Sequence, residues 1–193
     1  CFVEGGRWEG AATPNSVALQ ATIRDFKKGW DVTTPILGGH PDFQRKSTTG
    51  DCSINAAYYF NGLDEGLVNN FLDEEMKPVY DHNGDDRCNI TSPESFSQWY
   101  RDVSGVNMST AFNIIMTYDP FSKNYIYSNN NFFPIDNQFF GNEGNNHNFH
   151  FTFELHTIFT YMPSEQNEPN FRLFKSDDDM WLFIDSEEDG NQP

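Results

Sequence analysis

The stretch that decides the fold is Asn-Phe-His-Phe-Thr-Phe-Glu-Leu-His, residues 148–156. Its apolar and polar side chains alternate. Because successive side chains of a β-strand point to opposite faces of a sheet, this pattern predicts a strand with one buried face. The same reasoning predicts further strands at 17–23, 111–118, 171–174 and 180–184. Many short strands separated by turn residues indicate a mainly β protein, an antiparallel β-sandwich or jelly roll.

Helical periodicity is confined to two short segments. Ser92 is a typical N-cap and Pro93 suits the first helical position, and three aromatic residues then recur on one face. Residues 65–75 also carry apolar residues at helical spacing. The sequence therefore predicts one or two short helices.

The composition is that of a folded domain with an aromatic core. Aromatic residues make up 16% of the 193 residues, and 19 of them are Phe. A disordered chain of this charge would be poor in such residues. We expect one domain over 17–193, preceded by an N-terminal extension over 1–16.

The charge of the chain limits its partners. The net charge is −17, and such a surface repels nucleic acid and anionic lipid. The sequence also has no apolar run long enough to span a bilayer. We expect no nucleic-acid binding and no direct membrane insertion, whereas a surface rich in carboxylates suits hard cations such as calcium.

Cysteines and sequons indicate an extracellular protein. Of three cysteines, Cys52 and Cys88 form the natural disulfide pair, which leaves Cys1 over. Asn89 and Asn107 each begin an Asn-x-Ser/Thr acceptor for N-glycosylation. Together these features favour an oxidising compartment, and the protein is expected to be secreted or at the cell surface.

A cluster of acidic residues predicts a calcium site. Asp177, Asp178 and Asp179 are consecutive and lie between two hydrophobic segments. Neighbouring carboxylates repel each other unless a cation or several donors neutralise them, and Ca²⁺ takes six to eight oxygen ligands. A solvated acidic turn is the alternative interpretation.

Three histidines, His147, His150 and His156, lie on or next to the strand predicted at 148–156. No cysteine or further histidine follows at zinc-like spacing. We therefore interpret them as structural histidines, and we find no arrangement typical of nucleophilic catalysis. The chain is expected not to be an enzyme.

Several motifs in a fixed order resemble the fibro-slime domain, a branch of the PA14 superfamily. They are Thr-Ile-Arg-Asp-Phe at 22–26, His-Pro-Asp-Phe at 40–43, Lys-Pro-Val-Tyr at 77–80, Gln-Trp-Tyr-Arg-Asp-Val-Ser-Gly-Val-Asn at 98–107, Phe-Phe-Pro-Ile-Asp at 132–136, His-Asn-Phe-His-Phe-Thr at 147–152 and Asp-Asp-Asp-Met-Trp-Leu-Phe-Ile at 177–184.

The resemblance implies a PA14-like sandwich in an extracellular protein, with calcium held by the Asp177–Asp178 pair. Members of the family usually continue past the last motif with a loop that supplies further calcium ligands and sugar contacts. That loop is not identifiable here, so we expect the domain to be truncated at its C-terminal end.

These features together predict a calcium-binding module that serves as a structural building block or adhesive element of a surface filament, coat or matrix. A calcium-dependent lectin domain of a cell-surface adhesin is the alternative, and an accessory domain of a glycan-active enzyme is a second one. The expected partners are cell-surface glycans or other chains of an extracellular assembly.

Overall fold

A computed structural model describes residues 2–5, 14–31, 34–43, 66–81, 90–158, 171–176 and 179–184. Its elements, in chain order, are β1 (Phe2–Gly5), β2 (Ser16–Phe26), β3 (Trp30–Asp31), β4 (Thr34–Pro35), β5 (Val68–Leu72), β6 (Pro78–Tyr80), α1 (Pro93–Ser97), β7 (Asn107–Asp119), β8 (Asn124–Ser128), β9 (Phe151–Leu155) and β10 (Phe171–Lys175).

Six of the strands form one antiparallel sheet in the order β10-β1-β8-β7-β2-β9. Its centre is the long pair β2 and β7, which runs from Ser16 opposite Thr117 to Phe26 opposite Asn107. Strands β3 and β4 form one separate hairpin, and β5 and β6 form another. The prediction of a mainly β, antiparallel protein is confirmed. Strand β1 falls in the predicted N-terminal extension and pairs with β8 and β10.

Alternating side chains place the main core on one face of this sheet. Ile114, Met116 and Tyr125 of β7 and β8 are buried together. Residues of β2 and β9 pack around them because every second side chain of these strands points to the same face. The partly buried residues of this core are Val17, Leu19, Phe112, Tyr118, Tyr127, Phe153 and Leu155.

Helix α1 organises a second, smaller core. The backbone N–H of Ser95 donates to Ser92 Oγ and that of Ser92 donates to Ser95 Oγ, each at 3.1 Å. This capping box satisfies backbone donors that a helix start leaves free. Phe96 packs with Leu67 and Ile90, so the helix predicted from Ser92 and Pro93 is confirmed.

Two predicted elements are wrong. The helix predicted over 65–75 is not formed in its described part, 66–75: Gly66 has a φ of +79°, and Val68 begins β5 and pairs with Tyr80. Cross-strand pairing outweighs the weak helical spacing here, and valine favours a strand. Residues 180–184 belong to no strand. Trp181 instead packs against Phe96, with ring centroids 6.0 Å apart, so aromatic packing rather than a strand ladder holds this segment.

Candidate functional site

The structure describes one of the three residues predicted to bind calcium and neither of the cysteines predicted to form the disulfide. Asp177 and Asp178 lie outside the described residues, as do Cys52, Cys88 and Asn89. Asp179 is described and exposed, two residues before Trp181. The calcium site, the disulfide and the glycan on Asn89 therefore stay predictions.

The described part of the chain holds neither a metal cluster nor a membrane-spanning helix. No three histidine, cysteine, aspartate or glutamate side chains in it stand close enough together to hold a metal ion. Within the same ranges, no helix is long and apolar enough to cross a membrane.

The Asn107 side chain is engaged with backbone groups. Its Nδ2 donates to the carbonyl oxygens of Arg101 at 2.8 Å and Gln98 at 3.2 Å, and its Oδ1 accepts from the N–H of Val103 at 3.1 Å. This half-buried amide closes the loop that leads from α1 into β7. Both hydrogens of the nitrogen that would carry a glycan are thus in use.

The quoted sequence motifs converge at the C-terminal end of β2. Arg24 and Asp25 are neighbours there and both are buried, with 6% and 0% of their surface exposed. Adjacent side chains of a strand point to opposite faces, so each charge needs its own set of partners. The surrounding motifs supply those partners.

Arg24 is neutralised on one face of the sheet. Its guanidinium donates to Glu154 at 2.7 Å and to Asp102 at 2.8 Å, and Lys77 Nζ also reaches Glu154 at 2.5 Å. Burial raises the pKa of Glu154, but hydrogen bonds from His156, Lys77 and Arg24 outweigh it and hold that pKa below its usual value. This cluster ties β2 and β9 to the segments on either side of α1.

Asp25 is held on the opposite face by the segment 129–149. Its two carboxylate oxygens accept from the Asn148 side-chain amide and the Phe140 N–H, both at 2.8 Å. Burial raises the pKa of Asp25 to about 6; hydrogen bonds from Asn148, Phe140 and Phe26 act against this rise, and the nearby charge of Glu143 adds to it.

Glu143 forms the next link of this network. Its Oε2 accepts from the Lys28 N–H at 2.7 Å and lies 2.9 Å from His150 Nδ1. Lys28 Nζ donates to the Glu143 carbonyl at 3.0 Å. Glu143 and His150 are both nearly buried, with side chains 9% and 10% exposed. The segment 129–149, which contains no helix or strand, is thereby fixed to the end of β2.

A cluster of packed rings follows Arg24 at the end of β2. Phe26 stacks on Phe43 with ring centroids 4.3 Å apart, and His40 meets both rings edge-on. Asp42 accepts from Trp99 Nε1 at 3.0 Å. Burial lowers the pKa of His40, while the Asp42 charge acts in the opposite direction. Nε2 of His40 has no hydrogen-bond partner among the described residues.

A second group of rings reaches the surface. Phe133 and His147 stack with centroids 4.0 Å apart, and Phe149, which is 53% exposed, meets Phe133 edge-on at 5.1 Å. Asp136 lies 2.6 Å from His147 Nδ1. We call Phe133, His147 and Phe149 the ring cluster. It is a small aromatic platform with an acidic neighbour.

The outward side of β2 and β7 is open. Ala18 lies opposite Ile115 and Gln20 opposite Asn113, and all four are exposed, Ile115 at 50%. No exposed side chain of β2 and β7 on this surface ionises, although the same face continues to the Arg24–Glu154 pair at one end and to Asp119 at the other. We call this surface the open face; its residues are Ser16, Ala18, Gln20, Ala111, Asn113, Ile115 and Thr117.

Sequence reasoning singled out the motifs but not the roles of their residues. Arg24 and Asp25 follow the strand predicted at 17–23, and the structure extends β2 through both of them to Phe26. Because successive side chains of a strand point to opposite faces, one of the two charges must face the buried side and needs partners there. The histidines were interpreted as structural, and the structure places a carboxylate beside each of the three, including 2.7 Å between His156 and Glu154. The open face was missed, because alternation does not tell which polar face lacks a covering layer.

Comparison with known proteins finds relatives in Dictyostelium discoideum. The chain is 32% identical to protein psiD over 187 residues, which is 89% of this chain and 31% of psiD. It is 30% identical to psiR over 186 residues, which is 89% of this chain and 16% of psiR. It is 34% identical to psiQ over 137 residues, which is 64% of this chain and 13% of psiQ. No family model and no solved structure matches the chain.

The chain thus spans between 13% and 31% of the length of these three relatives. The matched region is one part of each of those longer proteins.

Proposed function

We propose that this chain is a non-enzymatic, calcium-stabilised module of an extracellular protein, and that it acts as a structural building block or adhesive element of a surface filament, coat or matrix. In this proposal the six-stranded sheet is one layer of a PA14-like sandwich. Asp177 and Asp178 would bind the calcium ion, with Asp179 beside them.

The open face is the observation that carries the proposal. A solvent-facing sheet surface of a soluble protein normally carries charged side chains, whereas the seven exposed positions of the open face carry none on a chain with a net charge of −17. Like-charge repulsion between two acidic surfaces is least where neither bears a charge. The uncharged positions of the open face are therefore the part of the described surface best suited to contact another protein.

The match to part of several longer proteins is consistent with a module. Such a module needs only weak contacts of its own, because several copies in one assembly act together. The buried charges of Arg24 and Asp25 have a structural task in this view. They fix the segments around α1 and the segment 129–149 to the sheet, and so make the module rigid.

Carbohydrate binding is the second candidate, and the ring cluster favours it. Aromatic faces are electron-rich and attract C–H groups of the kind that a sugar ring presents. Phe149 is exposed beside His147 and Asp136, which could bond sugar hydroxyls. This candidate places the glycan at residues 133–149 rather than on the open face.

A bead assay separates the candidates. Beads coated with the chain are mixed in calcium or in chelator, and their clustering is measured with the unmodified chain, Ile115→Asp and Phe149→Ala. The building-block proposal expects clustering in calcium that Ile115→Asp abolishes. Phe121→Asp is the matched control, because Phe121 is 95% exposed in the turn between β7 and β8.

The same proteins are then applied to a glycan array. Glycan binding that Phe149→Ala removes and Ile115→Asp leaves unchanged would favour the lectin. Beads that stay dispersed in calcium, or that cluster equally with Ile115→Asp, would contradict the proposed use of the open face.

A further inference from the structure

Three ionisable side chains, Asp25, Glu143 and His150, lie near the C-terminal end of β2. Asp25 is fully buried, and its carboxylate accepts hydrogen bonds from the Asn148 side chain and the Phe140 N–H of segment 129–149. Glu143, from the same segment, contacts His150 at 2.9 Å. The charge of Glu143 thus acts on Asp25 on one side and on His150 on the other, and all three side chains are largely removed from water.

We propose that Asp25, Glu143 and His150 form a proton-linked latch, in which uptake of a proton on mild acidification tightens the attachment of residues 129–149 to the end of β2. The inference goes beyond the proposed function, and it holds whether or not the chain binds calcium or a partner.

The surroundings of the latch define its charge. Lys28 supplies the positive charge next to the latch. Its backbone N–H donates to Glu143 Oε2, and its Nζ donates to the Glu143 carbonyl oxygen. Asp31 lies 3.7 Å from Lys28 Nζ and is exposed. Asp136 accepts from the Asn148 N–H and pairs with His147. On the remaining side Phe43 contacts both His150 and His40, and His40 lies next to Asp42.

The direction of the effect follows from the burial of Asp25. Its pKa is about 6 in the folded chain and has an ordinary value of 3.8. Detaching residues 129–149 would remove Asn148, Phe140 and Glu143 and hydrate the carboxylate, so its pKa would return toward that ordinary value. A group whose pKa is raised on folding contributes stability that is complete below the unfolded pKa and is lost as pH rises through the folded one. Attachment is therefore tighter below pH 6 than above it.

Hydrogen exchange tests the latch at the amides that close it. The N–H groups of Phe140 and Lys28 donate to Asp25 and Glu143, so their protection factors report detachment of the segment. At fixed calcium, we expect both protection factors to be roughly tenfold higher at about pH 5 than at about pH 7.5, after correction for intrinsic exchange. Unchanged protection across this range in the unmodified chain would overturn the proposal.

Two variants assign the effect to the latch. Glu143→Gln removes the like charge that raises the pKa of Asp25. The ratio of the protection factors at the lower and the higher pH should therefore shrink in this variant, and Asp25→Asn should abolish the difference between the two pH values. Asp31→Asn, which removes an exposed carboxylate near the same lysine, is the control and should leave the ratio unchanged. If the ratio of the protection factors stays unchanged in both latch variants, groups outside the latch cause the pH dependence, and the proposal is overturned. Should Asp25→Asn fail to fold, the ¹³C shift of the Asp25 carboxyl in the unmodified chain decides, because titration at an ordinary aspartate pKa contradicts the latch.

Discussion

The side-chain amide of Asn148 donates to the carboxylate of Asp25 at 2.8 Å, across 123 positions of sequence. This bond joins a central strand to the segment that precedes β9, and both residues are fully buried. Oδ1 of Asn148 also accepts from the His150 N–H at 3.0 Å. One side-chain amide therefore satisfies both a buried carboxylate and a backbone donor.

Asn148→Ala should therefore be strongly destabilising. It removes a bond to a buried charge and leaves the Asp25 carboxylate with one donor fewer, which we expect to lower the free energy of unfolding by about 2–4 kcal/mol. Urea denaturation followed by tryptophan fluorescence measures this. Asn145→Ala, in the exposed part of the same segment, is the matched control and should have little effect; equal losses for the two variants would contradict the role of Asn148.

Two neighbouring glycines should respond differently to the same substitution. A Cβ on Gly39 would overlap the backbone carbonyl of Lys28, where β2 leads into a bridge with His40. Because backbone atoms cannot move aside, Gly39→Ala should cost about 3 kcal/mol. Gly38 has a φ of +74° but open space around it, so Gly38→Ala should cost only about 1 kcal/mol. Thermal melting of both variants checks the order, and a larger loss for Gly38→Ala would contradict the close approach.

Two substitutions in the Asn107 sequon distinguish a structural role of Asn107 from a role as a glycosylation site. Asn107→Gln breaks bonds to the backbone of Gln98, Arg101 and Val103, and should cost about 1–2 kcal/mol in protein made without glycosylation. Ser109→Ala destroys the same sequon at an exposed position and should stay within about 0.5 kcal/mol.

Peptide mapping of protein from a glycosylating host gives the complementary result. Since the Asn107 nitrogen uses both hydrogens in the fold, occupancy there should be lower than at Asn89. Full occupancy of Asn107 together with unchanged stability of Asn107→Gln would show that the observed bonds are dispensable.

The predicted calcium site is tested by its effect on melting. Asp177→Asn or Asp178→Asn should lower the Tm in calcium and remove most of the difference that a chelator makes, because an ion that binds only the folded state stabilises it. Asp31→Asn, at an exposed aspartate on β3, should leave the chelator effect intact. Equal melting of the unmodified protein with and without calcium would show that residues 177–179 form only an acidic turn.

Local sequence patterns predicted an element correctly where the tertiary packing agrees with the pattern. Alternation located β2 and β7, since each buries every second side chain over much of its length, and Ser92 with Pro93 located α1. The segment 65–75 shows where such patterns fail. Its apolar spacing suited a short helix, but Val68 found a strand partner in Tyr80, and pairing with a distant residue is not visible in a local window.

What the sequence by itself determined is the class of the protein: strands from side-chain alternation, a helix start from its capping residues, and an acidic surface from composition. Only the tertiary structure decided which groups bind the charges of Arg24 and Asp25, and which side chains of β2 and β7 are exposed. The physical reason is that alternation assigns a side chain to a face, whereas burial and ionisation depend on what covers that face. Asp25 has a pKa of about 6 because Phe140, Glu143 and Asn148, more than a hundred residues away, enclose it.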